Sequence, residues 1–231
     1  MAWRRVTDRS AGRTPRVTRA PAAVGGSVWD PATVSGTRPA GVDEAGRGSL
    51  AGPVVAAAVI LLPDAQLPGL TDSKLLKPAT RARLAEAIRA QAVAYAVAAV
   101  EAAEIDATDI LRATLRAMAL AVSGLIPQPD LVLVDGNALP ALAVPAQAIV
   151  RGDRLVPAIS AASVLAKVTR DSIMDRWAAQ FPAYGFSQHK GYGTAVHLAQ
   201  IAEHGPCAIH RRSFAGVREH VGAGGAQGSL W

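Results

Sequence analysis

Gly41-Val42-Asp43-Glu44-Ala45-Gly46-Arg47-Gly48, followed by Ser49-Leu50-Ala51-Gly52-Pro53 and the apolar run 54–62, is the stretch on which the fold turns. Two carboxylates stand side by side ahead of a Gly-Arg-Gly turn. Adjacent carboxylates repel, and removing them from water is costly. They are tolerated where both face solvent or where a cation neutralises them. Neighbours on a strand point to opposite faces. For Asp43 and Glu44 to serve one site, the strand must end or bend there. The glycines supply that bend and let backbone approach a ligand closely, and Arg47 suits a phosphate. Alone, an Asp-Glu-x-Gly reads more readily as a solvated turn between two strands. The rest of the chain decides.

Residues 39–44 read as a short strand entering the acidic turn, and residues 54–62, between Pro53 and Pro63, as a buried strand pairing with it as a hairpin. Pro78 suits a helix start, residues 79–91 are helical in composition, and 92–100 is a third strand. Residues 103–106 form a turn. Thr108 or Asp109 caps a helix to about Ser123, ended by Gly124 and Pro127. Residues 131–134 and 146–150 are short strands, ending at Asp135-Gly136 and Arg151-Gly152-Asp153. Pro157 opens a long helix to about Gln180, residues 181–193 read as a loop, and 194–203 as a helix stopped by Gly205-Pro206. Strands without crossovers followed by strands separated by helices predict an α/β domain with a mixed sheet. Sites in open α/β sheets gather at the carboxyl ends of strands. Asp43, Asp135 and Asp153 each lie at or just after such an end.

The chain of 231 residues is 50% hydrophobic and 18% charged, enough for one substantial core. Its net charge of +6 is concentrated at the start: six arginines against two aspartates leave +4 in residues 1–36. That segment is poor in apolar residues and reads as a disordered basic tail, with 37–220 as the folded domain and 221–231 as a flexible end. The basic balance favours a polyanionic partner. Cys207 is the only cysteine, so no intrachain disulfide forms. No secretory signal is visible and the longest apolar runs are too short to span a bilayer, which predicts a cytoplasmic protein that makes no membrane contact.

Asp43, Glu44, Asp135 and Asp153 would repel one another if they converged without a cation. Oxygen ligands without clustered Cys or His point to Mg²⁺ or Mn²⁺ rather than Zn²⁺. Two such ions activate water and stabilise the leaving oxygen in phosphodiester cleavage. Taken singly, Asp135-Gly136 is a common turn dipeptide and Asp153 an ordinary loop residue; three strand ends together favour the metal site. Lys74, Lys167 and Arg170 add cations, and Ser160, Ser163 and Lys167 share a helix face at i, i+3 and i+7. A solvated stripe would give the same spacing. His189-Lys190-Gly191-Tyr192-Gly193-Thr194 combines base, cation and aromatic in a loop suited to a nucleotide. His210-Arg211-Arg212-Ser213-Phe214 is a basic patch with an aromatic.

These pieces, with Asp72-Ser73-Lys74, Val134-Asp135-Gly136, Gly152-Asp153 and the segment Ile159-Ser160-Ala161-Ala162-Ser163-Val164-Leu165-Ala166-Lys167-Val168-Thr169-Arg170-Asp171, stand in the order found in bacterial ribonuclease HII, the type 2 ribonuclease H, which the chain resembles over about residues 38–217. The resemblance implies a ribonuclease H-like fold: a five-stranded mixed sheet flanked by helices, with a helical C-terminal part. It implies cleavage of RNA in RNA–DNA hybrids and incision 5′ of ribonucleotides in duplex DNA, leaving 3′-hydroxyl and 5′-phosphate ends. The expected state of the chain is a monomer. By motif, Asp43, Glu44, Asp135 and Asp153 resemble the family's catalytic metal ligands. Gly46, Arg47 and Gly48 resemble the reader of the ribose 2′-hydroxyl and its phosphate, and Tyr192 the tyrosine packed at the RNA–DNA junction. Lys74, Ser160, Ser163 and Lys167 match supporting phosphate or outer groups. The chain departs at Ser49, where proline is usual, at Arg151, where lysine is usual, and at Leu75, where a second lysine is usual. The alternatives are another metal-dependent nuclease or strand-transferase of this fold, such as a Holliday-junction resolvase, and a non-catalytic hybrid-binding module. The last predicts a broken carboxylate set.

Overall fold

The computed structural model describes residues 38–222, so the tail expected at 1–36 and nearly all of the end expected at 221–231 lie outside the described residues. Five strands form one mixed sheet: β1 (Pro39–Ala45), β2 (Val54–Leu61), β3 (Ala92–Val100), β4 (Leu131–Asp135) and β5 (Ala146–Ile149). Their order is β3-β2-β1-β4-β5. The antiparallel meander β1–β2–β3 is the expected hairpin extended by one strand. β4 and β5 join β1 in parallel. β1 thus lies at the centre, where antiparallel and parallel halves meet.

Seven α-helices accompany the sheet among the described residues: α1 (Pro78–Gln91), α2 (Ala102–Ala107), α3 (Ile110–Ser123), α4 (Gly152–Leu155), α5 (Pro157–Gln180), α6 (Phe186–His189) and α7 (Ala195–His204). Asp109 caps α3 by accepting the Arg112 amide at 2.8 Å, and Pro157 opens α5 as expected. β2 reads as an unbroken apolar run because both its faces are covered. Val54, Ala56, Ala58 and Ile60 pack with Ala113, Ala117 and Met118 of α3. Ala57 and Val59 pack with Ala161, Val164 and Leu165 of α5 and with Leu84 and Ile88 of α1.

The same alternation sorts β1. Ala40 and Val42 belong to the α3 side, and Ala45 to the α5 side. A Cβ at Gly41 would lie 2.1 Å from the Ala158 carbonyl carbon. Glycine is therefore needed where α5 crosses β1, and the close crossing brings Ser160 and Ser163 over the end of the strand.

Two segments differ from the sequence reading. Residues 102–107 form the short helix α2, not only a turn. The expected loop 181–193 contains a 3₁₀ turn at Pro182–Tyr184 and the single-turn helix α6. Buried Phe186 anchors that segment, with Met174, Tyr184 and Ile209 around it. Polar-aromatic composition hid this local core. The C-terminal part carries α6 and α7 joined by short turns, and Ile201 of α7 packs with Leu50, Val217 and Phe214.

Candidate active site

Asp43 lies near the carboxyl end of β1 and Asp135 ends β4. Asp153 stands on α4, one turn beyond β5, where Arg151 takes a left-handed φ of 59° and reverses the chain. Because β1, β4 and β5 are parallel neighbours, their ends lie side by side. One carboxylate oxygen each from Asp43, Asp135 and Asp153 fall within 4.8 Å of one another. The Asp153 amide donates to Asp135 Oδ1 at 3.3 Å, and the Glu44 amide to Asp43 Oδ1 at 2.7 Å. Glu44, on the opposite face of β1, stays outside that trio and meets Arg47 at 3.5 Å.

The cluster carries more negative charge than its protein partners balance. Burial raises the Asp43 carboxyl well above the carboxylate range; Glu44 and Asp135 push it the same way, against hydrogen bonds from the Ser163 hydroxyl and the Glu44 amide. Burial also raises Glu44, where Arg47 opposes and Asp135 adds to the effect. Asp153 is raised by burial, then by Asp135 and Asp72, with Lys74 and Arg154 pulling it down. Burial alone would lower Lys74, but Asp43, Asp72, Asp153 and Glu44 outweigh it and hold the ammonium above its ordinary value. Converging oxygen donors with no sulfur or imidazole among them fit a hard divalent cation.

The other predicted residues are placed around this cluster in different ways. Lys74 sits on a 3₁₀ turn (Ser73–Leu75) capped by buried Asp72, which accepts the Lys74 amide at 2.9 Å and also pairs with Arg154 at 3.2 Å. Ser160 Oγ donates to the Asp153 carbonyl oxygen at 2.7 Å, so it holds a carboxylate-bearing residue by its backbone. The hydroxyls of Ser163 and Ser73 are 2.9 Å apart, joining α5 to the turn that carries Lys74. Lys167 Nζ pairs with Asp171 at 2.6 Å and lies 5.5 Å from the centre of the partly exposed Tyr192 ring. Gly46, Arg47 and Gly48 form the turn leaving β1, with the Arg47 side chain half exposed.

With this geometry in place, comparison with known proteins is direct. The ribonuclease HII family model matches residues 40–217. The ribonuclease HII of Verminephrobacter eiseniae (strain EF01-2) is 62% identical over 178 residues, spanning 77% of this chain and 85% of its own. That of Bordetella avium (strain 197N) is 59% identical over 179 residues, 78% of this chain and 89% of its own. The chain belongs to the ribonuclease HII family. It is accordingly a metal-dependent nuclease, a ribonuclease H acting on RNA–DNA hybrids. The crystal structure of ribonuclease H2 from Pyrococcus horikoshii OT3 has the same architecture, with a TM-score of 0.66 and 26% identity over 78% of this chain and 95% of that one.

In this member of the ribonuclease HII family, two buried arginines organise the turn beside the carboxylates, and neither role was visible in the sequence. Arg170, grouped there with phosphate-facing cations, is fully buried. Its guanidinium donates to the carbonyls of Pro53, Lys190 and Ala51 at 3.0, 2.9 and 3.0 Å and to Ser49 Oγ at 2.6 Å. Ser49, the departure from the usual proline, passes this tie on by donating to the Gly46 carbonyl at 2.8 Å. Arg211 is also fully buried and donates to the carbonyls of Gly46, Arg47 and Gly52 at 2.7, 2.8 and 3.0 Å. Nothing in His210-Arg211-Arg212 distinguishes the buried arginine from its neighbour. The distinction arises because residue 210 bridges Ala51 and the Arg211 amide reaches the Leu50 carbonyl at 2.8 Å, which turns Arg211 inward.

Proposed function

We propose that this chain is an endoribonuclease that cuts the RNA strand of RNA–DNA hybrids and also incises on the 5′ side of ribonucleotides embedded in duplex DNA. The products are 3′-hydroxyl and 5′-phosphate ends. The observation that carries this reading is the approach of Asp43, Asp135 and Asp153 oxygens to within 4.8 Å, from β1, β4 and the helix α4 that follows β5. Asp43, Glu44, Asp135 and Asp153 would hold two divalent cations, Mg²⁺ or Mn²⁺, which when bound supply an activated water and stabilise the leaving oxygen.

The protein's own groups position the substrate. Asp43 is held through the Glu44 amide and the Ser163 hydroxyl, and Asp153 through Ser160 and its own amide on Asp135. Lys74, kept charged by four surrounding carboxylates, faces the scissile phosphate. The Gly46-Arg47-Gly48 backbone approaches the ribose 2′-hydroxyl, the one group that separates RNA from DNA at a given position, while Arg47 takes the adjacent phosphate. Tyr192 packs against the next sugar, which fits the ring only when that sugar lacks a 2′-hydroxyl. Reading both sides of the junction makes discrimination a matter of rate more than affinity. Basic composition favours a nucleic-acid partner, and no helix among the described residues is long and apolar enough to cross a membrane.

The test is cleavage of a DNA duplex carrying one ribonucleotide, with an all-DNA duplex as control. A single cut 5′ of the ribonucleotide and an intact control are expected. Cleavage of both duplexes alike would exclude reading of the 2′-hydroxyl.

A further inference from the structure

Three imidazoles lie beneath the segment that carries Tyr192, and none enters the chemistry above. His197 and His210 are 0% and 2% exposed. The rings of His189 and His197 stack at 4.3 Å, and the Nε2 atoms of His197 and His210 are 3.0 Å apart.

The backbone around them decides which nitrogens carry protons. His197 Nδ1 lies 2.9 Å from the Tyr192 carbonyl oxygen, which can only accept, so Nδ1 donates and a neutral His197 accepts at Nε2. His210 Nδ1 receives the Cys207 amide at 3.0 Å, so it accepts and the His210 proton sits on Nε2. The two requirements agree at the contact between the rings: His210 Nε2–H donates to His197 Nε2. Hydrogen bonds therefore run one way, from the Cys207 amide through His210 and His197 to the Tyr192 carbonyl. His189 is fixed by the same reasoning, donating from Nε2 to the Tyr184 carbonyl at 2.7 Å and accepting the Gly191 amide on Nδ1 at 3.2 Å. A second proton on any of the three rings would set two donors face to face. Burial opposes that proton, holding His197 and His210 at about 4 and lowering His189.

The far end of the chain touches the substrate-reading turn. Tyr192 bridges Ser49, and the Leu50 amide reaches the Gly191 carbonyl at 2.8 Å. We propose that His197 and His210 are positioning residues for substrate discrimination, fixing the backbone of Tyr192 against the Gly46-Arg47-Gly48 turn through this one-way chain. The inference rests on the reading of Tyr192 as the residue that senses the junction.

Two measurements on the full-length protein test it. In ¹⁵N-histidine spectra of the wild type at pH 7, His197 is expected as the Nδ1–H tautomer and His189 and His210 as Nε2–H. His197 in the opposite tautomer, or a charged His197 or His210, overturns the chain. The second is kcat/KM for His197→Leu, His197→Asn and Tyr192→Ala on a single-ribonucleotide duplex and on a long RNA–DNA hybrid. Asparagine keeps an N–H near the Nδ1 position. His197→Leu should lose about tenfold more on the single-ribonucleotide duplex than on the hybrid, mainly in kcat, and His197→Asn should recover most of that difference. If Tyr192→Ala is selective while His197→Leu loses equally on both substrates, the positioning role is wrong and the reading of Tyr192 stands. Equal losses in Tyr192→Ala would remove the reading of Tyr192 and the positioning role with it.

Discussion

Gly46→Ala and Gly48→Ala, two residues apart in one turn, should fail in different ways. Gly46 has a φ of +95°, and a Cβ there would lie 2.0 Å from Arg170 Nε and 2.4 Å from its Cδ. Arg170 has no room to yield, because its guanidinium is tied to three carbonyls and to Ser49 Oγ. The left-handed backbone costs about 1 kcal/mol for alanine, and forcing a methyl into a filled site costs about 1–3 kcal/mol. A total of about 3 kcal/mol corresponds to a fall in Tm of roughly 6–12 °C for a domain of this size. Gly48 has an ordinary φ, and a Cβ there meets nothing within 4 Å. Its alanine variant should be as stable as wild type to within about 0.5 kcal/mol. On the proposed reading of this turn the methyl would stand in the way of the ribose, and a misplacement of that size costs on the order of a hundredfold in kcat/KM. Thermal melts and kinetics on a single-ribonucleotide duplex separate the two effects. A Gly46→Ala protein melting within 2 °C of wild type would refute the packing argument. Full activity in Gly48→Ala would refute close approach at that residue.

Arg211→Met should be destabilised by about 2–4 kcal/mol in urea unfolding. Three carbonyls lose their donor at about 1–3 kcal/mol each, offset by relief of the burial that pushes the guanidinium down to about 9; a variant more stable than wild type would show that the buried charge costs more than its bonds return. The acid dependence of stability should carry the imprint of His197. Its folded pKa of about 4 lies below the ordinary 6.5, so the unfolded chain binds more protons between those values. The contribution is complete above pH 6.5 and is lost as pH falls towards 4. The stability advantage of wild type over His197→Asn should shrink by about 3 kcal/mol across that window; a constant difference would mean that His197 titrates normally.

The first hairpin, the mixed sheet and the acidic strand ends were legible because carboxylates at strand ends and an apolar run between prolines are local signals, whereas the order of the strands was not. Asp43 and Asp135 read directly in this way. The turn that carries Asp153 did not, since α4 depends on a left-handed backbone at Arg151 that no side-chain pattern announces. The stripe Ser160, Ser163, Lys167 looked like one chemical face. In the fold, residues 158–166 of α5 are buried all round as the helix crosses the sheet. Ser160 holds the Asp153 backbone, Ser163 meets Asp43 and Ser73, and Lys167 pairs with Asp171. Arg170 and Arg211 were legible only as positive charge. Apart from the Ser49 hydroxyl their partners are backbone carbonyls, most of them more than a hundred residues away, and backbone acceptors have no sequence signature.

Ion binding by Asp43 and its neighbouring carboxylates is the proposal on which the cleavage chemistry depends. Its most direct test measures Mg²⁺ and Mn²⁺ binding by calorimetry, and hybrid cleavage in the same buffers, for wild type and Asp43→Asn. Ion binding and cleavage are expected in wild type, no cleavage in EDTA, and loss of both in Asp43→Asn while affinity for the hybrid persists. Robust cleavage in EDTA, or near-normal turnover by Asp43→Asn, would contradict it.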